Sequence, residues 1–213
     1  MIELLNCDCV EYMSGLPAAA FDLAIVDPPY GIGETWNKDK RNLHKGKTKS
    51  YRNKQIPDKQ YFDQLFRVSK NQIIWGFNYY SHYIPMTNNI IVWDKDLIYE
   101  KANKSEGELA WTSIKRFPLR IYKHQWNGAL KGSENGKFNG IHPHQKPVKL
   151  YRWLLKMYAH PGQRILDTHG GSMSSAIACH QMGFDAVICE LDPEYYQAAV
   201  KRLNNAKMQQ QLF

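Results

Sequence analysis

The chain has 213 residues, 43% of them apolar, and 28 lysines and arginines against 20 acids give a net charge of +8. That suffices for one domain with a sizeable core, and no apolar run reaches the roughly 18 residues of a membrane span. Met1-Ile2-Glu3-Leu4-Leu5-Asn6 lacks the basic-then-apolar order of a secretory signal, so a cytoplasmic protein is expected. Cys7, Cys9, Cys179 and Cys189 follow no common zinc spacing and read as reduced thiols without a metal.

Ile2–Leu5 reads as a first strand ending near Asp8, with a helix over 10–15 and a loop at Pro17. Phe21–Val26 reads as the second strand, its apolar run Leu23-Ala24-Ile25-Val26 having the pattern of a buried strand. Pro28 and Pro29 lack backbone donors and cannot continue it. Asp27 is therefore presented at the strand's carboxyl end, beside a rigid turn and the Tyr30 ring. In open α/β sheets that end is where ligands bind. Residues 31–57 are a polar, basic excursion. Between positions 38 and 54, Lys38, Lys40, Arg41, Lys45, Lys47, Lys49, Arg52 and Lys54 face only Asp39, so most of the net charge lies there. Such a loop can track phosphates, with Trp36 and Tyr51 available for stacking.

Asp58 is the expected N-cap of a helix reaching about Ser69, with Phe62, Leu65, Phe66 and Ser69 near one face. Strands are expected over 72–75 and 89–93, with a short helix over 78–83 before Pro85. Residues 108–112 and 118–124 read as antiparallel strands, and 128–140 as a glycine- and lysine-rich loop. Val148–Tyr158 reads as a helix behind Pro147. Then come a strand over 164–166, a helix over 172–182, a strand over 186–189 and a helix over 193–204. This alternation predicts a doubly wound, mostly parallel α/β sheet in a single domain spanning 1–213.

The strand over 164–166 runs into Asp167-Thr168-His169-Gly170-Gly171-Ser172 and then a helix. Glycines at that junction let the backbone approach a ligand closely. Glu190, at the end of the next strand, is placed to accept hydrogen bonds from ribose hydroxyls. The G-x-G-x-x-G fingerprint is absent, which disfavours a nicotinamide or flavin cofactor.

Asp27-Pro28-Pro29-Tyr30 resembles the catalytic motif of the S-adenosylmethionine-dependent amino-methyltransferases, which act on adenine N6 or cytosine N4. Asp167, Gly171 and Ser172 match that family's Asp-Pro-Phe-x-Gly-Ser-Gly loop; His169 stands where Phe is usual and Met173 where the second Gly is usual. Gln145-Lys146-Pro147, within His142-Pro143-His144-Gln145-Lys146-Pro147, resembles the segment that holds the cofactor's amino-acid end. Asn6-Cys7-Asp8 resembles the acidic position facing the cofactor adenine, and residues 89–95 another family block ending Trp-x-Lys. The order, catalytic motif first and glycine loop last, resembles the circularly permuted β class of DNA amino-methyltransferases. The resemblance covers nearly the whole chain apart from the basic loop and about 113–140.

It implies a methyltransferase (Rossmann-like) sheet, S-adenosylmethionine as methyl donor with S-adenosylhomocysteine as product, and double-stranded DNA as substrate. It implies catalysis by Asp27, Pro28, Pro29 and Tyr30 on a flipped-out base. Cofactor contacts are expected from Asp8, Asp27, Gln145, Lys146, Pro147, Asp167, His169, Gly170, Gly171, Ser172 and Glu190. DNA contacts are expected from the basic loop and from Arg116, Arg120 and Lys123 in a target-recognition region over 113–140. Asp in first position resembles the adenine-N6 branch. The Pro-Cys nucleophile of cytosine-C5 methyltransferases is absent, and 213 residues leave no room for the separate nuclease domain of a restriction–modification enzyme. A homodimer is compatible with the family. The tail over 205–213 ends Gln209-Gln210-Gln211-Leu212-Phe213, which resembles a bacterial sliding-clamp-binding peptide. The alternatives are cytosine-N4 or RNA adenine methylation, or a catalytically silent DNA-binding protein of this fold.

Overall fold

The computed structural model describes residues 1–31, 56–97, 105–126 and 145–210. Its strands are β1 (Ile2–Leu5), β2 (Phe21–Val26), β3 (Ser69–Trp75), β4 (Ile90–Asp94), β5 (Gly107–Thr112), β6 (Leu119–Lys123), β7 (Arg164–Asp167) and β8 (Asp185–Cys189). The helices are α1 (Cys9–Ser14), α2 (Lys59–Val68), α3 (Val148–Tyr158), α4 (Ser174–Met182) and α5 (Pro193–Gln210). One sheet runs in the order β1-β8-β7-β2-β3-β5-β4-β6. Every neighbouring pair is parallel except those of β5, which is antiparallel to both β3 and β4.

β2 is apolar from Leu23 to Val26 because both of its faces are covered there. Ala24 and Val26 pack with Met13 of α1 and with Tyr61, Phe62, Leu65 and Val68 of α2. Leu23 and Ile25 share the opposite core with residues of α3, α4 and α5. Local chemistry starts the helices. Asp8 caps α1 by accepting from the N–H groups of Val10 at 2.7 Å and Glu11 at 3.1 Å, and Asp58 caps α2 through Tyr61 at 3.1 Å. Each cap satisfies donors that the first turn leaves without partners.

Four expectations change. The strand over 118–124 runs opposite to β5 but does not pair with it; β4 lies between them and takes β6 in parallel register, Ile90 opposite Leu119. The helix over 78–83 is instead two 3-10 turns, Phe77–Tyr79 and Ser81–Tyr83, entered through a left-handed Gly76. The helix over 172–182 starts at Ser174, because Gly171 and Met173 both have positive φ. The final helix continues past 204 to Gln210, since Leu203 and Ala206 keep its apolar face in the core. The expected 205–213 tail is thus helical as far as Gln210.

Candidate active site

A parallel sheet gathers the ends of its strands at one edge. Here the carboxyl ends of β1, β8, β7, β2, β3, β4 and β6 share an edge, and antiparallel β5 brings its amino end to it. Asp8, Asp27, Lys95, Glu108, Asp167, His169 and Glu190 all lie at or just past those ends.

Asp27 leaves β2 at the Pro-Pro turn with both oxygens engaged. Its Oδ1 accepts from the Tyr30 hydroxyl at 2.6 Å and its Oδ2 from the Lys146 ammonium at 2.5 Å. Lys146 is also 2.8 Å from Glu108 Oε2, and Lys95 is 2.8 Å from Glu108 Oε1. The Tyr30 hydroxyl lies 3.2 Å from both Glu108 Oε2 and Lys146 Nζ. Two carboxylates and two ammonium groups therefore balance around one phenol. Burial pushes the Lys146 ammonium down, but Asp27 and Glu108 outweigh it and hold it above its ordinary value. Burial likewise raises Glu108, yet Lys146 and Lys95 bring it down to about 2. Tyr30 is raised well above its ordinary value by burial and by the charges of Asp27 and Glu108. These shifts keep Lys146 and Glu108 charged and the Tyr30 phenol neutral at pH 7.

The Tyr30 ring stacks on Tyr79, with centroids 4.9 Å apart and planes 11° apart. Gly76 lies beneath it: a Cβ there would fall 2.1 Å from a Tyr30 ring carbon. Tyr79 itself stays 42% exposed. An aromatic platform therefore stands beside the carboxylate.

At the other half of the edge, backbone donors answer the acids. Asp167 accepts from the His169 N–H at 3.0 Å and the Ser175 hydroxyl at 2.5 Å. Glu190 accepts from Gly171 at 2.7 Å and Asp192 at 2.9 Å. Burial raises Asp167 to about 7 and also raises Glu190. His169 is half-buried, its Nδ1 2.9 Å from the Thr168 hydroxyl and its ring edge-on to Tyr61. Burial lowers it to about 4, so it is neutral at pH 7. Gly170 is required by packing, because a Cβ there would meet Ile188 at 2.6 Å. Buried Arg202 of α5 donates to the Ser172 carbonyl at 2.5 Å and the Ser174 hydroxyl at 3.0 Å. Ser174 in turn donates to the Lys146 carbonyl at 2.7 Å. Lys146 thus has its backbone tied to the glycine loop and its ammonium on Asp27.

The acceptors of this half suit a ligand rich in hydroxyls and amines. Asp8 and Glu190 are acids at adjoining strand ends, and Asp8 uses only Oδ1 for its cap. The Gly171 N–H is taken up by Glu190, whereas a phosphate-binding loop would offer it to an anion.

The expected site residues divide accordingly. Asp8, Asp167, His169, Gly170, Gly171, Ser172 and Glu190 come together at the β1, β7 and β8 ends, with Pro147 and buried Gln145 at the start of α3. Lys146, expected among the cofactor contacts, points its ammonium to the Asp27 cluster. Arg116 and Arg120 lie toward the opposite edge, after β5 and early in β6, with their guanidiniums over the Phe117 ring at 5.0 and 4.1 Å. Lys123 reaches the carboxyl edge but pairs with Asp96 at 3.0 Å. It sits on β6, four strands from β2, roughly 19 Å away by ordinary strand spacing. The basic loop residues Lys38, Lys40, Arg41, Lys45, Lys47, Lys49, Arg52 and Lys54 lie outside the described residues, as do His142, His144, Leu212 and Phe213. Gln209 is on the last turn of α5. Glu108 belongs to no motif in the sequence. Lys95 carried a signal, the Trp-x-Lys block, without a role. Among the described residues no three His, Cys, Asp or Glu side chains gather as a metal site, and no helix is long and apolar enough to cross a membrane.

Residues 43–201 match the family described as DNA methylase, covering N6 and N4 enzymes. The DNA adenine methyltransferase YhdJ of Escherichia coli (strain K12) is 23% identical over 95% of this chain and 83% of its own. A crystal structure of M1.HpyAVI in complex with SAM aligns with TM-score 0.63 at 19% identity, covering 96% of this chain and 100% of that one. The cytosine-N4-specific PvuII DNA methyltransferase aligns with TM-score 0.59 at 12% identity, covering 96% and 90%.

Proposed function

This chain belongs to the DNA methylase family, and on that premise we propose that it methylates the N6 amine of a flipped-out adenine in double-stranded DNA, as a β-class enzyme with permuted motif order. S-adenosylmethionine, when bound, supplies the methyl group as an electrophilic sulfonium. The observation that carries the reading is Asp27: a carboxyl group at the carboxyl end of β2, held between Tyr30 and Lys146 and flanked by a rigid turn and a stacked aromatic pair.

The exocyclic amine is a poor nucleophile because its lone pair is delocalised into the ring. The Asp27 carboxylate and the Pro28 carbonyl accept the amine hydrogens, which localises the lone pair and stabilises the positive charge that develops on nitrogen. Each carboxylate oxygen has a second lone pair, so Tyr30 and Lys146 do not exhaust Asp27 as an acceptor. Tyr30, backed by Gly76 and stacked on Tyr79, gives the base a rigid surface. Stacking of about 1–3 kcal/mol per base offsets an unpairing cost of a few kcal/mol. Asp8, Glu190 and the glycine loop would hold the donor at the neighbouring strand ends, beside Asp27, where positioning of the two reactants is a large part of the rate. The later proton goes to Asp27 or to water.

Adenine is favoured by Asp in the first motif position and by the adenine specificity in the name of the Escherichia coli relative. Cytosine N4 presents the same amine chemistry, and the family includes both. A homodimer and clamp binding through Gln209 to Phe213 belong to this proposal as partners. The test is nucleoside mass spectrometry of unmethylated duplex DNA after incubation with S-adenosylmethionine, beside an RNA of the same sequence. N6-methyladenine in the DNA is expected; N4-methylcytosine, or label confined to the RNA, overturns the base or the substrate.

A further inference from the structure

Glu108 is the second residue of β5 and reaches the site from the strand that runs against the others. It holds Lys146 at 2.8 Å through Oε2 and Lys95 at 2.8 Å through Oε1. Lys146 is only 4% exposed and sits 2.5 Å from the Asp27 carboxylate. That ammonium presents a difficulty for amine methylation. Positive charge grows on the target nitrogen beside Asp27, and an ammonium neutralised by Asp27 alone would both weaken that acceptor and repel the growing charge. A second carboxylate on Lys146 removes the conflict. Lys95 then fixes Glu108 from the outer side, where its side chain is 17% exposed.

We propose that Glu108 is a positioning residue for methyl transfer: it shares the Lys146 ammonium with Asp27, so that Asp27 keeps its acceptor strength for the target amine. The inference rests on the methyl-transfer reading above. Glu108 acts through Lys146 and need not touch the base.

The test compares the full-length wild type with Glu108→Gln in tritiated methyl transfer to duplex DNA, with S-adenosylhomocysteine affinity by calorimetry. Glu108→Gln is expected to lower kcat about 10- to 100-fold, the loss typical of partners that orient a reacting group through another residue. KM for DNA and the calorimetric affinity should stay within about 2-fold, because no binding contact is removed. The double variant with Lys146→Met should be no slower than Lys146→Met alone, as expected of residues acting in series. Wild-type kcat in Glu108→Gln, or losses that multiply in the double variant, overturns the role. So does a loss of kcat matched by equal loss of cofactor affinity, which marks a merely structural part. If Glu108→Gln does not fold, the double variant carries the test: a kcat well below that of Lys146→Met alone overturns the role. A wild type that moves no methyl to DNA instead overturns the function on which the inference stands.

Discussion

At the ends of β7 and β8, acids are answered by backbone N–H groups and a serine; at the ends of β2, β4 and β5 they are answered by two lysines and a phenol. Backbone donors are fixed by the fold, so the glycine-loop half is set before any ligand arrives. Lysine side chains are long and their charges can be shared between acids, so the Asp27 half can redistribute charge as a reaction proceeds. The first arrangement suits holding a cofactor, and the second suits stabilising charge that appears only during chemistry. Lys146 joins the two, with its carbonyl on Ser174 and its ammonium on Asp27.

If this division is right, substitutions in the two halves should affect different constants. Asp27→Ala should lower kcat about 10³-fold, as expected when a group that stabilises developing charge is lost. Glu190→Ala should act oppositely. It strips the partner from the Gly171 and Asp192 N–H groups, and hydrogen bonds to charged groups are worth about 1.5–3 kcal/mol. Cofactor affinity measured by calorimetry should fall roughly 10- to 100-fold, while kcat at saturating cofactor stays near wild type. A Glu190→Ala enzyme that binds normally but turns over slowly would break the comparison.

Gly76→Ala is a smaller perturbation of the Asp27 half. The new Cβ meets the Tyr30 ring at a residue with φ of +68°, at an overpacking cost of about 1–3 kcal/mol. The thermal midpoint should fall, and KM for DNA should rise as Tyr30 is displaced. An unchanged KM would remove Tyr30 as the surface for the base.

The smallest effect is a pH dependence within the glycine-loop half. Burial raises Asp167 from 3.8 to about 7 and lowers His169 from 6.5 to about 4. Between these values the folded chain keeps the Asp167 proton that the unfolded chain loses, so this contribution to stability fades as pH rises from about 4 to about 7. His169 does the reverse: the unfolded chain binds its proton below 6.5, so its contribution grows with pH over about 4 to 6.5. The two slopes oppose. His169→Asn should leave a stability that declines as pH is raised towards 7, read from urea midpoints; a rising profile contradicts the buried Asp167 carboxyl.

The same contrast explains what could be read from the sequence. β1, β2 and α3 end where apolar runs, caps and prolines put them, because those signals are local. Asp27, Asp167 and Gly171 were legible because each sits at or just past a strand end within a short motif, and Glu190 because it directly follows an apolar strand. Glu108 was not, since it enters the site from an antiparallel strand whose position depends on pairing with both β3 and β4. The fate of Arg116 and Arg120 was hidden for a related reason. Positive charge suggests phosphate contacts, but which edge of the sheet a residue occupies is decided by strand direction, and both lie away from the carboxyl edge. Lys146 was found as part of a motif, yet the reach of its side chain to Asp27 depends on packing across 119 residues of separation.

Of these experiments the Asp27 comparison bears most directly on the account. Wild type and Asp27→Ala, each preloaded with tritiated S-adenosylmethionine, are mixed with unmethylated duplex DNA, and label in the DNA is counted over a single turnover. The account predicts that both proteins retain bound cofactor and that only the wild type labels the DNA at an appreciable rate. Transfer by Asp27→Ala at the wild-type rate would contradict it.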